Sequence, residues 1–223
     1  MMPTPDLINL LATGVTPVRR LRRPAIRAAS WLLLAMIVIG LLVVGEGIRP
    51  DFRQSLRDPG FVIGIVATVL TGICAAIAAF MLSLPDRPRR WALLPIPAFA
   101  LWLSTIGYQC LTNWVAFDPD GMRWGETARC FSTLVLTSLP LSLAILVMLR
   151  YAAPLRPTAV TLTAGLAVSA ITATAMALIH DLDASIMILM WNFGTAAMIV
   201  GLGGMFGGRM LAWAAARLTL QQG

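Results

Sequence analysis

Residues 61–83 read FVIGIVATVLTGICAAIAAFMLS, twenty-three positions without one charged side chain. A helix rises about 1.5 Å per residue, so about 20 apolar residues cross the hydrocarbon layer of a bilayer. This stretch is long enough, and it sets the reading of its surroundings. The chain of 223 residues is 58% hydrophobic and only 12% charged. Soluble domains carry about a quarter charged residues. So little charge cannot coat a water-soluble globule, and the bilayer is the solvent for most of the chain. Five more apolar runs flank the first. The spans predicted are 30–44, 61–83, 91–114, 127–149, 158–180 and 185–207. The expected fold is all-α: a polytopic membrane protein of six transmembrane helices. A short cytoplasmic head occupies 1–29, the membrane domain 30–207 and a tail 208–223. The first run follows a long basic stretch and has no small-residue cleavage site, so it is expected to be an uncleaved span.

The net charge of +7 comes from arginine alone, since the chain has no lysine. The arginines lie between apolar runs rather than in one patch, which suits control of topology better than nucleic-acid binding. With the head inside, twelve of the seventeen fall on the cytoplasmic side. They include Arg19, Arg20, Arg22, Arg23 and Arg27 before the first span, and Arg87, Arg89 and Arg90 after the second. Eight of the ten acids fall outside. Six spans and this asymmetry predict a multi-pass membrane protein with both termini in the cytoplasm. The loop 45–60 is expected to form a short helix on the outer surface. Pro140 should kink the fourth span. Small residues in the fifth, with Gly203/Gly207 and Gly204/Gly208 in the sixth, predict close packing of those two helices.

The head reads as two short amphipathic helices. Thr4-Pro5-Asp6 supplies a cap, a first-turn proline and an acidic first turn. Leu7, Leu10 and Leu11 then share a face at i, i+3, i+4. Thr16-Pro17 repeats the start, with Val18 and Leu21 set among Arg19, Arg20, Arg22 and Arg23. Each is too short to be stable alone in water, so each is expected to form against a partner or a membrane surface.

Chemistry-bearing residues are sparse. No acid or arginine lies deep within a predicted span, where proton relays and ion pathways place them. There is one histidine and no catalytic triad, glycine-rich phosphate loop or metal-spaced Cys/His set. An enzyme is not expected, nor is a cofactor. On the outer face, Cys110 near the end of span three and Cys130 at the start of span four should lie on neighbouring helices. His180 and Asp181 close span five on the same side. Thiolates and an imidazole suit soft metals, and exposed thiols oxidise. The plainer alternative makes the cysteines small apolar fillers and His180 an interfacial cap. Cys74, in mid-span, reads as packing.

These residues resemble those of the NrsF-type proteins, the negative regulators of sigma F. The similarity is carried by Asp6-Leu7-Ile8, Leu11-Ala12 and Pro17-Val18-Arg19-Arg20-Leu21 in the head. It continues through Arg49-Pro50-Asp51, Arg129-Cys130 with Pro140, and a histidine closing span five before an acidic turn. The resemblance implies a membrane-embedded anti-sigma factor that holds an extracytoplasmic-function sigma factor at the inner membrane until a stress signal releases it. It implies two outer-face cysteines. Cys130 matches the first, but Asp181 stands where the second is expected, and Cys110 is the candidate replacement.

On this reading Asp6, Leu7, Leu10, Leu11, Val18, Arg19, Arg20 and Leu21 contact the sigma factor. The apolar residues enter grooves at helical spacing, and the arginines meet acidic sigma surface or lipid headgroups. Cys130, Cys110, His180 and Asp181 are the sensing candidates. The partners are the sigma factor and the bilayer, with no direct nucleic-acid contact. Two rivals make different predictions: a small transporter or channel subunit would pass solute through liposomes, and an inert scaffold would tolerate loss of residues 1–23.

Overall fold

A computed structural model describes residues 22–112, 124–149, 157–179 and Gly194, with side chains described for 22–106, 132–149 and 158–179. All regular structure among these residues is helical. In chain order the helices are α1 (Pro24–Glu46), α2 (Phe52–Ser55), α3 (Pro59–Leu82), α4 (Ile96–Thr112), α5 (Trp124–Leu149) and α6 (Pro157–Ile179), with a 3₁₀ turn at Arg89–Leu93 before α4.

Local chemistry explains the boundaries. Pro24 opens α1, where a missing backbone N–H costs nothing. The helix therefore starts six residues before the predicted span and takes Arg27 into its first turn. Gly47, at φ 85°, ends it, and the Gly47 N–H reaches the Val43 carbonyl at 3.0 Å. That left-handed backbone suits glycine alone among common residues. Asp58 caps α3 by accepting the Gly60 N–H at 3.0 Å, with Pro59 in the first turn. The predicted surface helix of the 45–60 loop is present as α2.

Four helical stretches among the described residues are long and apolar enough to cross a membrane: Pro24–Glu46, Pro59–Leu82, Ser132–Leu149 and Thr158–Ile179. This corrects the predicted six. Of the sixth predicted span only Gly194 is described. The third begins later than predicted: a 3₁₀ turn occupies Arg89–Leu93, α4 starts at Ile96 just after Pro95, and it is described as far as Thr112. Helix α5 runs through Pro140 as one helix.

The centre of the bundle is the α3–α6 pair, which makes the most extensive contact. Of the apolar stretch of α6, 78% is buried, against 17% for α1, which lies at the periphery. Small residues make the pairing possible. Ala67, Thr71, Ala75, Ala76 and Ala79 of α3 are buried, as are Ala164, Ala167, Ala170 and Ala173 of α6. At Gly72 the approach is closest: a methyl group there would come within 2.9 Å of Ile171 Cδ1. Hydroxyls in the core turn back on their own helices. Thr71 donates to the Ala67 carbonyl at 2.7 Å, Thr137 to Thr133 at 2.7 Å and Ser169 to Gly165 at 2.8 Å. These hydroxyls are thereby satisfied without water, while Thr172 Oγ1 of α6 is buried with no partner among the described residues.

Helix directions alternate. The start of α1 meets the ends of α3 and α5, and the residues following α1 meet the start of α3 and the end of α6. The bundle thus has an Arg27 end and an Arg49 end.

Candidate functional site

The predicted sigma-contacting residues, Asp6, Leu7, Leu10, Leu11, Val18, Arg19, Arg20 and Leu21, lie outside the described residues, as do His180 and Asp181. Cys110 lies in the last turns of α4 and Cys130 in the second turn of α5. By helix direction both belong to the Arg49 end. Among the described residues α4 packs on α3, whereas α5 packs on α6 and α1, with no substantial contact between α4 and α5. Cys74 is a half-buried free thiol within α3. No group of three or more His, Cys, Asp or Glu side chains is placed to hold a metal among the described residues.

The Arg49 end is a closed polar knot. Arg49 Nε and Nη2 donate to the two carboxylate oxygens of Asp51 at 2.7 and 2.6 Å, and Nη2 donates to Ser55 Oγ at 2.8 Å. The guanidinium lies 5.1 Å from the centre of the Phe61 ring, and Phe52 meets that ring edge-on at 6.3 Å. The local sequence builds this. Gly47 turns the chain out of α1, and Asp51 starts α2 one residue after Pro50. The Arg49 backbone N–H donates to the Leu178 carbonyl at 3.1 Å. Leu178 is in the last turn of α6, where carbonyls lack helical donors. The loop therefore seals the end of the central helix, next in sequence to His180-Asp181.

The Arg27 end is built differently. Arg27 is 94% buried by its residual exposure of 6%, although its neighbours Arg22 and Arg23 are exposed. One guanidinium nitrogen, Nη2, donates to the Met148 carbonyl in the last turn of α5. The group sits 5.1 Å from the centre of the Phe80 ring of α3. A cation at a helix C-terminus is favoured by the aligned peptide dipoles and supplies a donor that the helix lacks. Nη1 is buried and has no hydrogen-bond partner. Just along α1, the buried Trp31 donates Nε1–H to the Leu141 carbonyl of α5 at 3.1 Å. Ser83 Oγ, also buried, donates to the Phe80 carbonyl at 2.7 Å and firms the turn that carries the ring.

Sequence reasoning treats Arg27 only as one of several topology-setting arginines. A signal for more was present. Arg27, Trp31 and Ala35 recur at four-residue spacing, and with Ala28 they form the buried stripe of α1. Leu33, Met36, Ile37, Leu41 and Val44 occupy the exposed side. An arginine on the tryptophan face of a spanning helix points at the protein rather than at water.

Among the described residues both ends are arrangements for joining helices, one paired with a carboxylate and one with a spare buried donor. A family model described as NrsF, negative regulator of sigma F, matches residues 11–213. No curated protein and no solved structure matches.

Proposed function

The chain belongs to the NrsF family, the negative regulators of sigma F, and we propose that it is an inner-membrane anti-sigma factor. Its head, residues 1–29, holds an extracytoplasmic-function sigma factor and blocks the surfaces the factor needs for polymerase. An envelope signal of metal or oxidative stress releases it. The observation that carries this reading is the span of the family match, which runs from Leu11 in the head through every described helix. The anti-sigma character follows from the family's description, while the type of sigma factor and the signal are inferred from the residues.

Charge supports the orientation. The described residues of the Arg27 end carry Arg22, Arg23, Arg27, Arg87, Arg89 and Arg90 against one acid, Asp86. Those of the Arg49 end carry Arg49, Arg53, Arg57 and Arg129 against Glu46, Asp51, Asp58 and Glu126. The arginine excess supports a cytoplasmic Arg27 end, with the head leading into it. On this reading the Arg49 end, with Cys110 and Cys130, faces outward and receives the signal.

In the head, Leu7, Leu10, Leu11, Val18 and Leu21 supply apolar anchors for a groove on the sigma factor. Asp6, Arg19 and Arg20 provide the charged rim. Full-length protein in lipid nanodiscs, mixed with the host's extracytoplasmic-function sigma factors one at a time, tests this. Wild type should retain one of them, and Leu10→Asp or Leu11→Asp should abolish retention without affecting membrane insertion. Unchanged retention by both variants would remove the head from the account. For sensing, Cys130→Ser should blunt induction of the sigma-dependent promoter by metal or oxidant. A full response from that variant would exclude the thiol.

A further inference from the structure

We propose that Arg27 is a positioning residue for sigma-factor retention: it ties the helix that carries the head to the end of α5, and breaking this tie loosens the head's hold. The inference rests on the reading of the head as the sigma-binding element.

The argument begins with burial. An arginine that serves only to orient a span keeps its head group in water by extending its stem along the apolar surface. Arg22 and Arg23 are exposed in this manner. Arg27, in the first turn of α1, is instead 94% buried, with its charge over Phe80 and one nitrogen on the Met148 carbonyl. Burying a cation without a carboxylate is unfavourable unless fixed dipoles compensate. Here the compensating group is the C-terminus of α5. The position of that helix end therefore decides whether Arg27 is comfortable where it lies.

The second part is register. Arg27 and Trp31 are one turn apart on α1, and their acceptors, Met148 and Leu141, are two turns apart on α5. Their order is antiparallel, and both bonds run from α1 donors to α5 carbonyls. Two directional bonds define the rotation and the height of the first turns of α1 against α5, which an apolar contact cannot do as sharply. Pro24 begins α1, so residues 24–29 of the predicted head belong to that helix, and the rest of the head joins it through Arg22-Arg23. The placement of the head is thus set at the point where the bundle grips Arg27. The unpartnered Nη1 makes the grip less than saturated. An unsatisfied buried donor raises the energy of the held state and narrows its advantage over a released one. A displacement of α5 that removes the Met148 carbonyl frees the first turn of α1 and, with it, the head.

The test uses full-length protein in nanodiscs and the sigma factor that wild type retains. Arg27→Gln keeps donors and removes the charge; Arg27→Lys keeps the charge and loses the forked group; Trp31→Phe removes only the second bond. Arg90→Gln makes the same charge change at an exposed position of the same end. Expected are a Kd raised at least tenfold for Arg27→Gln, an intermediate rise for Arg27→Lys and Trp31→Phe, and less than a twofold change for Arg90→Gln. Amide hydrogen exchange should quicken in residues 24–31 and 145–149 while the α3–α6 core stays protected, which separates a lost tie from a lost fold. Binding by Arg27→Gln within twofold of wild type, while Leu10→Asp abolishes it, overturns the inference and leaves the head-docking reading standing. Should Arg27→Gln loosen the α3–α6 core as well, Arg27→Lys and Trp31→Phe decide, and near-wild-type binding by both overturns it. Retention by Leu10→Asp would sink the head-docking reading and this inference with it.

Discussion

Each end of the bundle places an arginine 5.1 Å from a phenylalanine ring and closes the last turn of a helix, yet the two arginines are supported in opposite ways. Arg49 grips one carboxylate through Nε and Nη2, and its backbone N–H, not its side chain, caps α6. Its partner Asp51 remains 46% exposed. Arg27 has no carboxylate among the described residues, caps α5 with its side chain, and keeps one buried nitrogen unpartnered. The first arrangement is locally complete: Arg49, Asp51 and Ser55 lie within seven residues and hold each other whatever the helices do. The second exists only when α1, α3 and α5 are in place together. A self-sufficient knot suits a cover over a helix end. A tie made of three helices reports on their arrangement.

The largest separation between the two ends should appear in unfolding. Arg27→Ala removes a charged hydrogen bond and a ring contact and leaves the Met148 carbonyl bare, for a loss of about 2 kcal/mol. Thermal unfolding in detergent micelles, followed by helical circular dichroism, measures it. A loss smaller than that of Arg49→Ala would reverse the comparison. Trp31→Phe should cost about 1 kcal/mol in the same assay, since one hydrogen bond goes while the ring volume largely stays. Arg49→Ala should cost about 0.5–1 kcal/mol, because a half-exposed pair is screened by water and the backbone cap on Leu178 survives. The smallest effect sharpens the contrast most. Raising salt from 0.1 to 1 M shortens the screening length from about 10 to about 3 Å. The penalty for Arg49→Ala should shrink under that change and the penalty for Arg27→Ala should hold. Equal salt sensitivity would mean that Arg27 is as open to solvent as Arg49.

Much of this architecture was legible in the residues, for reasons that differ by element. The 61–83 run announces a spanning helix because apolar length is a one-dimensional property, and α3 occupies nearly the same residues. The short helix expected in the 45–60 loop is present as α2. The start of the third span shows where hydropathy misleads: the apolar run continues across Pro95, but α4 begins only at Ile96, so hydropathy measures the run and backbone chemistry the helix. The start of α1 was placed too late for the converse reason. Polar residues before position 30 seemed to end the span, while Pro24 is an effective first-turn residue and the helix continues to it. The sensing and docking candidates rest on pattern and family resemblance, and the described structure adds to them only the helices that carry Cys110 and Cys130. Arg27 was read by its charge and not by its face.

What the amino-acid sequence determined by itself is the solvent and the material: helices for a bilayer, an arginine excess on one side, and a family membership running from Leu11 almost to the end of the chain. Those properties are sums along the chain, and a sum needs no third dimension. Only the tertiary structure decided which arginine is structural. Arg22, Arg23 and Arg27 are the same residue within six positions, and composition cannot tell them apart. Arg27 alone meets a ring from α3 and the bare carbonyl of a helix whose end lies 121 residues away. A buried cation is sustained by groups converging from different parts of the chain, and convergence is a property of packing.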